Sequence, residues 1–211
     1  MLPATKSSRW ILLELGLIYS LVQIYIWCWQ YIWPKTVWLI LLLLLASHLW
    51  HRDSFRGLGF RIDNFFPAAR EACWAAIPLL LLLVLIGILS GRLWTIPIRW
   101  ESAAPALRYT LWGTFQQYGL QGYFHSRLSK VISQPLRSST INAILFMGFH
   151  TPNPVLMAFT LAGGFACSML FLQSRNLFVL GVFHGVLGLL LSNVFPREWL
   201  PNMRVGPRYF R

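Results

Sequence analysis

Several side chains able to hydrogen-bond or carry a proton lie inside stretches that otherwise suit lipid. In "TLWGTFQQYGLQGYFH", residues 110–125, the polar groups are Gln116, Gln117, Gln121 and His125. His150 in "LFMGFHTPNP" and His184 in "LGVFHGVLGLLLSN" interrupt two later apolar runs. On a helix Gln117, Gln121 and His125 are spaced i, i+4, i+8 and form one stripe facing the bundle, with Gln116 beside it. Ionisable residues in a membrane cost on the order of 2.5 to 3.5 kcal/mol on insertion scales, which makes them functional candidates by default. An imidazole, with an unperturbed pKa of about 6.5, can serve as a base. A glutamine amide cannot, but it can orient water or donate its NH₂ to a developing oxyanion. The competing reading is interhelical glue, in which such bonds average only about 0.6 kcal/mol. On the stripe alone the two readings weigh equally.

Other chemistries find less support. The chain has no HExxH, and catalytic zinc usually takes three protein ligands. His150 and His184 make two, and a third such as His125 or Glu14 would have to converge, so no metal and no other cofactor is expected. Cys28, Cys73 and Cys167 lie far apart without a CxxC spacing and read as buried structural thiols. The six acids are Glu14, Asp53, Asp63, Glu71, Glu101 and Glu198. Glu14 alone reads as lying inside a helix, near its cytoplasmic start. The other five read as loop or helix-end residues, so no carboxylate is expected among the glutamines and histidines.

The elements that must position these groups are transmembrane helices. Of 211 residues, 56% are hydrophobic and 11% charged, against about 25% charged in a soluble domain. Runs such as "IPLLLLLVLIGILSG", with their flanks, approach the roughly 20 apolar residues that a hydrocarbon core requires. The expected fold is all-α, a polytopic transmembrane bundle of about six to eight segments forming a single membrane domain over 1–211. Candidate segments are 10–33, 36–50, 72–90, 106–124, 140–151, 154–172 and 176–195. Trp10, Trp33, Trp50, Trp94, Trp100 and Trp199 mark segment ends at the headgroup level.

The net charge of +12 is scattered between apolar runs, unlike a nucleic-acid surface, so no nucleic-acid partner is expected. Lys6/Arg9, then Arg52, Arg56, Arg61 and Arg70, then Arg127, Lys130 and Arg137 read as cytoplasmic by the positive-inside rule. The loop 51–70 suits contact with membrane lipids, although an ordinary positive-inside loop is the stronger reading. The first run is too long for a cleavable signal peptide and reads as a retained helix. Pro152 and Pro154 end a helix at or next to His150, and the segment 140–151 reads as re-entrant or half a span. Gly181, Gly185 and Gly188 allow close helix approach.

From Leu107 to Asn193 the chain resembles the CPBP family of intramembrane proteases, which includes the CAAX prenyl endopeptidases. That family carries Glu-Glu-x-x-x-Arg, Phe-x-x-x-His and His-x-x-x-Asn/Asp motifs on successive helices. Phe146 and His150 match the second motif, and His184 matches the histidine of the third. Gln116 and Gln117 stand at the glutamates, Gln121 at the arginine and Gly188 at the Asn/Asp. The resemblance implies an endopeptidase cleaving membrane-associated proteins or peptides near their C-terminus, in maturation or sorting. His150, His184, Gln116 and Gln117 would be catalytic, and Gln121, His125, Phe146 and Gly188 would support the site. Removing both acids and the arginine leaves no unpaired buried charge, which suits a maintained pocket. The alternative is a catalytically inactive member that binds or scaffolds. A transporter ranks last because no internal repeat is visible. The expected setting is an integral membrane protein of a bacterial inner membrane.

Overall fold

The computed structural model describes residues 6–95, 103–201 and 203–211, and Trp100 and Glu101 fall outside them. Among the described residues the secondary structure is all helical. The helix α1 (Lys6–Ile24) continues through a π-helical turn, Tyr25–Trp29, into the short α2 (Gln30–Ile32). Then come α3 (Thr36–Trp50), α4 (Phe55–Leu58) and α5 (Phe65–Leu89). The helix α6 (Ala103–Gln117) runs into a π-helix, Tyr118–His125, and on into α7 (Ser126–Val131). The last three are α8 (Pro135–Gly148), α9 (Pro154–Ser174) and α10 (Leu177–Val194).

Four helices, Ser8–Ile32, Phe65–Leu89, Pro154–Ser174 and Leu177–Val194, are long and apolar enough to cross a membrane. Their outward faces, with those of the shorter α3, expose Trp38, Leu42, Trp74, Leu81 and Leu89, as a lipid-facing surface would. The protein is an integral membrane protein. The 14 residues of α8 rise only about 21 Å, less than the roughly 30 Å of hydrocarbon.

Three assignments change. The third long segment starts at Phe65, a full turn and more before residue 72, so Glu71 lies inside α5 and not in a loop. The segment 106–124 does not stop there, because the helix carries on to Val131. Cys28 and Cys73 are exposed where burial was expected, and only Cys167 is buried. An apolar stretch in lipid has no reason to turn its thiols inward.

The backbone itself sets the tightest packing, between α6 and α10. A Cβ added at Gly181 would lie 2.8 Å from Thr114 Cα, and one at Gly185 would lie 3.0 Å from Thr110 Cα. Glycines at this spacing let two helices approach at backbone distance. Ala68, Ala72 and Ala76 of α5 do the same work more loosely against Phe171, Leu177 and Leu180.

At one end of the bundle, the loops 51–64 and 174–176 are tied together. Asn176 Nδ2 donates to Arg61 O and Asn64 Oδ1, both at 2.9 Å, and Leu177 N donates to Gly59 O at 2.8 Å. A network of charged side chains lies at this end too. Arg127, fully buried, donates through Nη2 to Asp53 Oδ2 at 2.6 Å and lies 3.6 Å from Glu14 Oε1. Glu14 also accepts from Ser47 and from the Tyr123 hydroxyl, and meets His51 at 2.8 Å. His48 lies 2.8 Å from Asp53 and Lys130 Nζ lies 3.6 Å from it. One network therefore pins α1, α3, the π-helix and α7 to each other.

Burial opposes the charge on Asp53, but hydrogen bonds from Arg127 and His48, with the charges of Arg127 and Lys130, outweigh it and hold its pKa at about 2. A depressed carboxylate stabilises the fold above its unfolded pKa, near 3.8, and that contribution is lost as pH falls through about 2. Thermal unfolding in detergent, followed from pH 5 downward, is expected to show a fall in stability that Asp53→Asn largely flattens. Arg127→Ala, which strands two carboxylates, is expected to cost about 3 to 5 kcal/mol at neutral pH. Gly181→Val, placed against the α6 backbone, is expected to lower stability by about 1 to 3 kcal/mol or more.

Candidate active site

The last turn of α6 presents Gln116 and Gln117, and the helix widens into its π segment immediately after them. A π-helix closes i→i+5 bonds and is frequent at functional sites. The wider turn changes which residues share a face. Gln117 points to α10, where its Nε2 donates to His184 Nδ1 at 3.1 Å. Gln121 points to α8 and α9 instead: its Oε1 accepts from Asn142 Nδ2 at 3.2 Å, and Asn142 also donates to Ser168 Oγ at 2.9 Å. His125 is fully buried with Ser139 Oγ 3.5 Å from its Nε2. The single stripe expected of Gln117, Gln121 and His125 is thus split. Gln121 and His125 belong to a sealed polar cluster and line neither cavity described below.

His150 lies two residues beyond α8, in a turn that contains the cis Thr151–Pro152 peptide. Asn153 then caps α9, its Oδ1 accepting from Leu156 N at 3.1 Å. His150 Nδ1 lies 2.8 Å from Phe146 O. A carbonyl can only accept, so Nδ1 carries the proton and Nε2 the lone pair. In His184 the roles are reversed. Its Nδ1 accepts from the Gln117 amide, which leaves the proton on Nε2. The Phe146 ring stands against both imidazoles, with centroids 4.7 Å from His150 and 5.9 Å from His184. Gly113 makes room for the His184 ring, since a Cβ there would lie 2.9 Å from His184 Cδ2.

These groups line a cavity of about 210 Å³. Gln116, Gln117, Phe146, His150, His184 and Gly188 all border it, together with Leu79 and Leu83 of α5 and Tyr109 and Trp112 of α6. A second, more apolar cavity of about 360 Å³ lies between α1, α3 and α6, bordered by Ile18, Val22, Tyr25, Ile40 and Leu44. Trp112, Gln116, Phe146, His150 and Val205 border both and form the partition between them. The buried carbonyl oxygens of Gln116 and Gln117 have no hydrogen-bond partner among the described residues.

Sequence reasoning passed over three contributors, Met203, Val205 and Tyr109. Met203 and Val205 reach the cavity from the segment after α10, where Asn153 Nδ2 donates to Arg204 O at 3.1 Å and Gly206 N to Thr151 O at 2.8 Å. The segment has no periodicity that would have announced this. Tyr109 lies in an apolar run without a motif. Glu14 is held in the charged network and borders neither cavity, and no Asp or Glu appears among the residues lining them. Among the described residues no three His, Cys, Asp or Glu side chains are grouped as metal ligands.

The arrangement joins one imidazole acceptor, one imidazole donor and two amides in an apolar chamber, as a site for polarising and hydrating a carbonyl would. Residues 99–190 match the family model described as Type II CAAX prenyl endopeptidase Rce1-like. No curated protein and no solved structure matches the chain. Gln117→Leu is expected to release His184 Nδ1, shifting the ring to a mixture of neutral tautomers. The ¹⁵N chemical shifts of the imidazole read this, with His150 as the unchanged internal control.

Proposed function

We propose, on the premise that the core of this chain belongs to the CPBP family of CAAX-type intramembrane proteases, that it is an endopeptidase with a histidine serving as general base. Its substrates are membrane-associated proteins or peptides cut near their C-terminus, in maturation or sorting. The proposed setting is a bacterial inner membrane. One arrangement carries the reading: His150 Nδ1 faces the Phe146 carbonyl and His184 Nδ1 faces the Gln117 amide nitrogen, contacts that assign the two neutral rings opposite tautomers, with the lone pair on His150 Nε2 and the proton on His184 Nε2.

In this reading water attacks the scissile carbonyl carbon while His150 Nε2 takes its proton. One of the Gln116 and Gln117 carbonyl oxygens, both buried without partners among the described residues, accepts the water's second proton in a hydrogen bond and holds it in line. His184 Nε2–H donates to the oxygen as it gains negative charge. When the tetrahedral carbon collapses, the C–N bond breaks and His150 returns the proton to the departing amine. The apolar walls exclude bulk water, which strengthens each of these polar contacts. No charged side chain is required at the start, and none lines the cavity among the described residues.

A second reading has its own observation. No carboxylate lines the cavity, and a member without an acid could bind a peptide or partner and leave it uncut. The purified protein in lipid nanodiscs, given a farnesylated CAAX-type peptide and a panel of other membrane-anchored peptides, separates the two. Under the endopeptidase reading wild type cleaves, and His150→Ala loses about 10² to 10⁴ of the rate. Cleavage that appears only after Gln116→Glu or Gln117→Glu establishes the silent reading for the natural sequence.

A further inference from the structure

The cavity wall beside His184 holds a polar group that none of the motifs names. Four residues after His184, at the place of the third motif's side chain, stands Gly188. The space such a side chain would take is filled from the opposite helix. A Cβ added at Gly188 would lie 2.6 Å from Cε1 and 2.8 Å from Cζ of Tyr109, and closer still to its hydroxyl. The half-buried Tyr109 and Gly188 both border the first cavity, and the Tyr109 ring centroid is 6.5 Å from that of His184.

The hydroxyls of this cavity differ in what they are bonded to. Thr160 Oγ1 is committed, donating to Leu156 O at 2.7 Å. The Tyr109 hydroxyl has no hydrogen-bond partner among the described residues. A phenol that is largely out of water usually finds a partner, so a free donor in an apolar wall is suited to an acceptor on whatever enters.

We infer that Tyr109 is a substrate-contacting residue whose hydroxyl, standing in for the side chain that Gly188 lacks, donates to the scissile carbonyl oxygen beside His184 Nε2–H. This rests on the endopeptidase reading for the identity of the acceptor. The phenol keeps its proton throughout. It donates to the neutral carbonyl oxygen, and more strongly to the oxyanion once water has added, while the water's proton goes to His150 and then to the leaving nitrogen. Two donors from two helices, α6 and α10, thus converge on one oxygen.

Tyr109→Phe removes the donor and keeps the ring. In nanodiscs its thermal midpoint should match wild type, while kcat falls by about 10²-fold with KM little changed. A second measurement does not need turnover. A farnesylated CAAX-type peptide with a hydroxyethylene group in place of the scissile amide should bind wild type more tightly than its deoxy counterpart. Tyr109→Phe should lose that preference, and Tyr109→Ala/Gly188→Asn, which returns a polar group from α10, should regain part of it. If wild type cleaves and Tyr109→Phe cleaves equally fast, the inference is overturned and the endopeptidase reading stands. If wild type does not cleave, the endopeptidase reading fails and affinity decides: loss of hydroxyl preference in Tyr109→Phe upholds the contact, and equal preference in both proteins overturns it.

Discussion

Everything at the cavity depends on how near α6 comes to α10. With Gly181 and Gly185 set against the backbone of Thr114 and Thr110, the two helices are fixed in rotation as well as distance. Only one face of each can lie at the seam. That contact delivers Gln117 to His184 and Tyr109 to the space over Gly188. Slightly bulkier residues on α10 would push the helices apart and leave the same side chains with nothing to meet. The chemistry of the wall is therefore a consequence of missing side chains as much as of those present.

A second constraint is the cost of charge away from water. The fold separates its polar groups into two kinds of place. One charged network, at one end, holds Arg127, Asp53, Glu14 and Lys130 close enough to neutralise each other. Neutral polar groups lie deeper, at the cavity and in the sealed cluster of Gln121, His125, Asn142 and Ser168. The neutral amides of Gln116 and Gln117 follow the same economy. A carboxylate at either position would meet histidines and amides, and no arginine lines the cavity among the described residues.

How much of this was legible in the sequence follows from the kind of signal each part leaves. Spans such as Phe65–Leu89 announce themselves through composition, because lipid tolerates little else. His150 was marked by the prolines that follow it, which cannot extend a helix, and the glycines of α10 were marked by their spacing. The phase of the helix after Gln117 was not legible. Within the π segment Gly122 is held so close to Leu58 O that an added Cβ would lie 3.1 Å from it, and residue types alone do not encode that contact. The same holds for Val205, brought to the cavity by the hydrogen bonds of its two neighbours, Gly206 N to Thr151 O and the Asn153 side-chain amide to Arg204 O, which connect chain segments far apart in number.

The partition between the two chambers has a mechanical meaning. Because Trp112 and Val205 face both spaces, a turn of either side chain that widens one chamber narrows the other. Close-packed walls have little slack to absorb the change elsewhere. An occupant of the larger chamber and one of the smaller would therefore rest against opposite sides of the same few side chains.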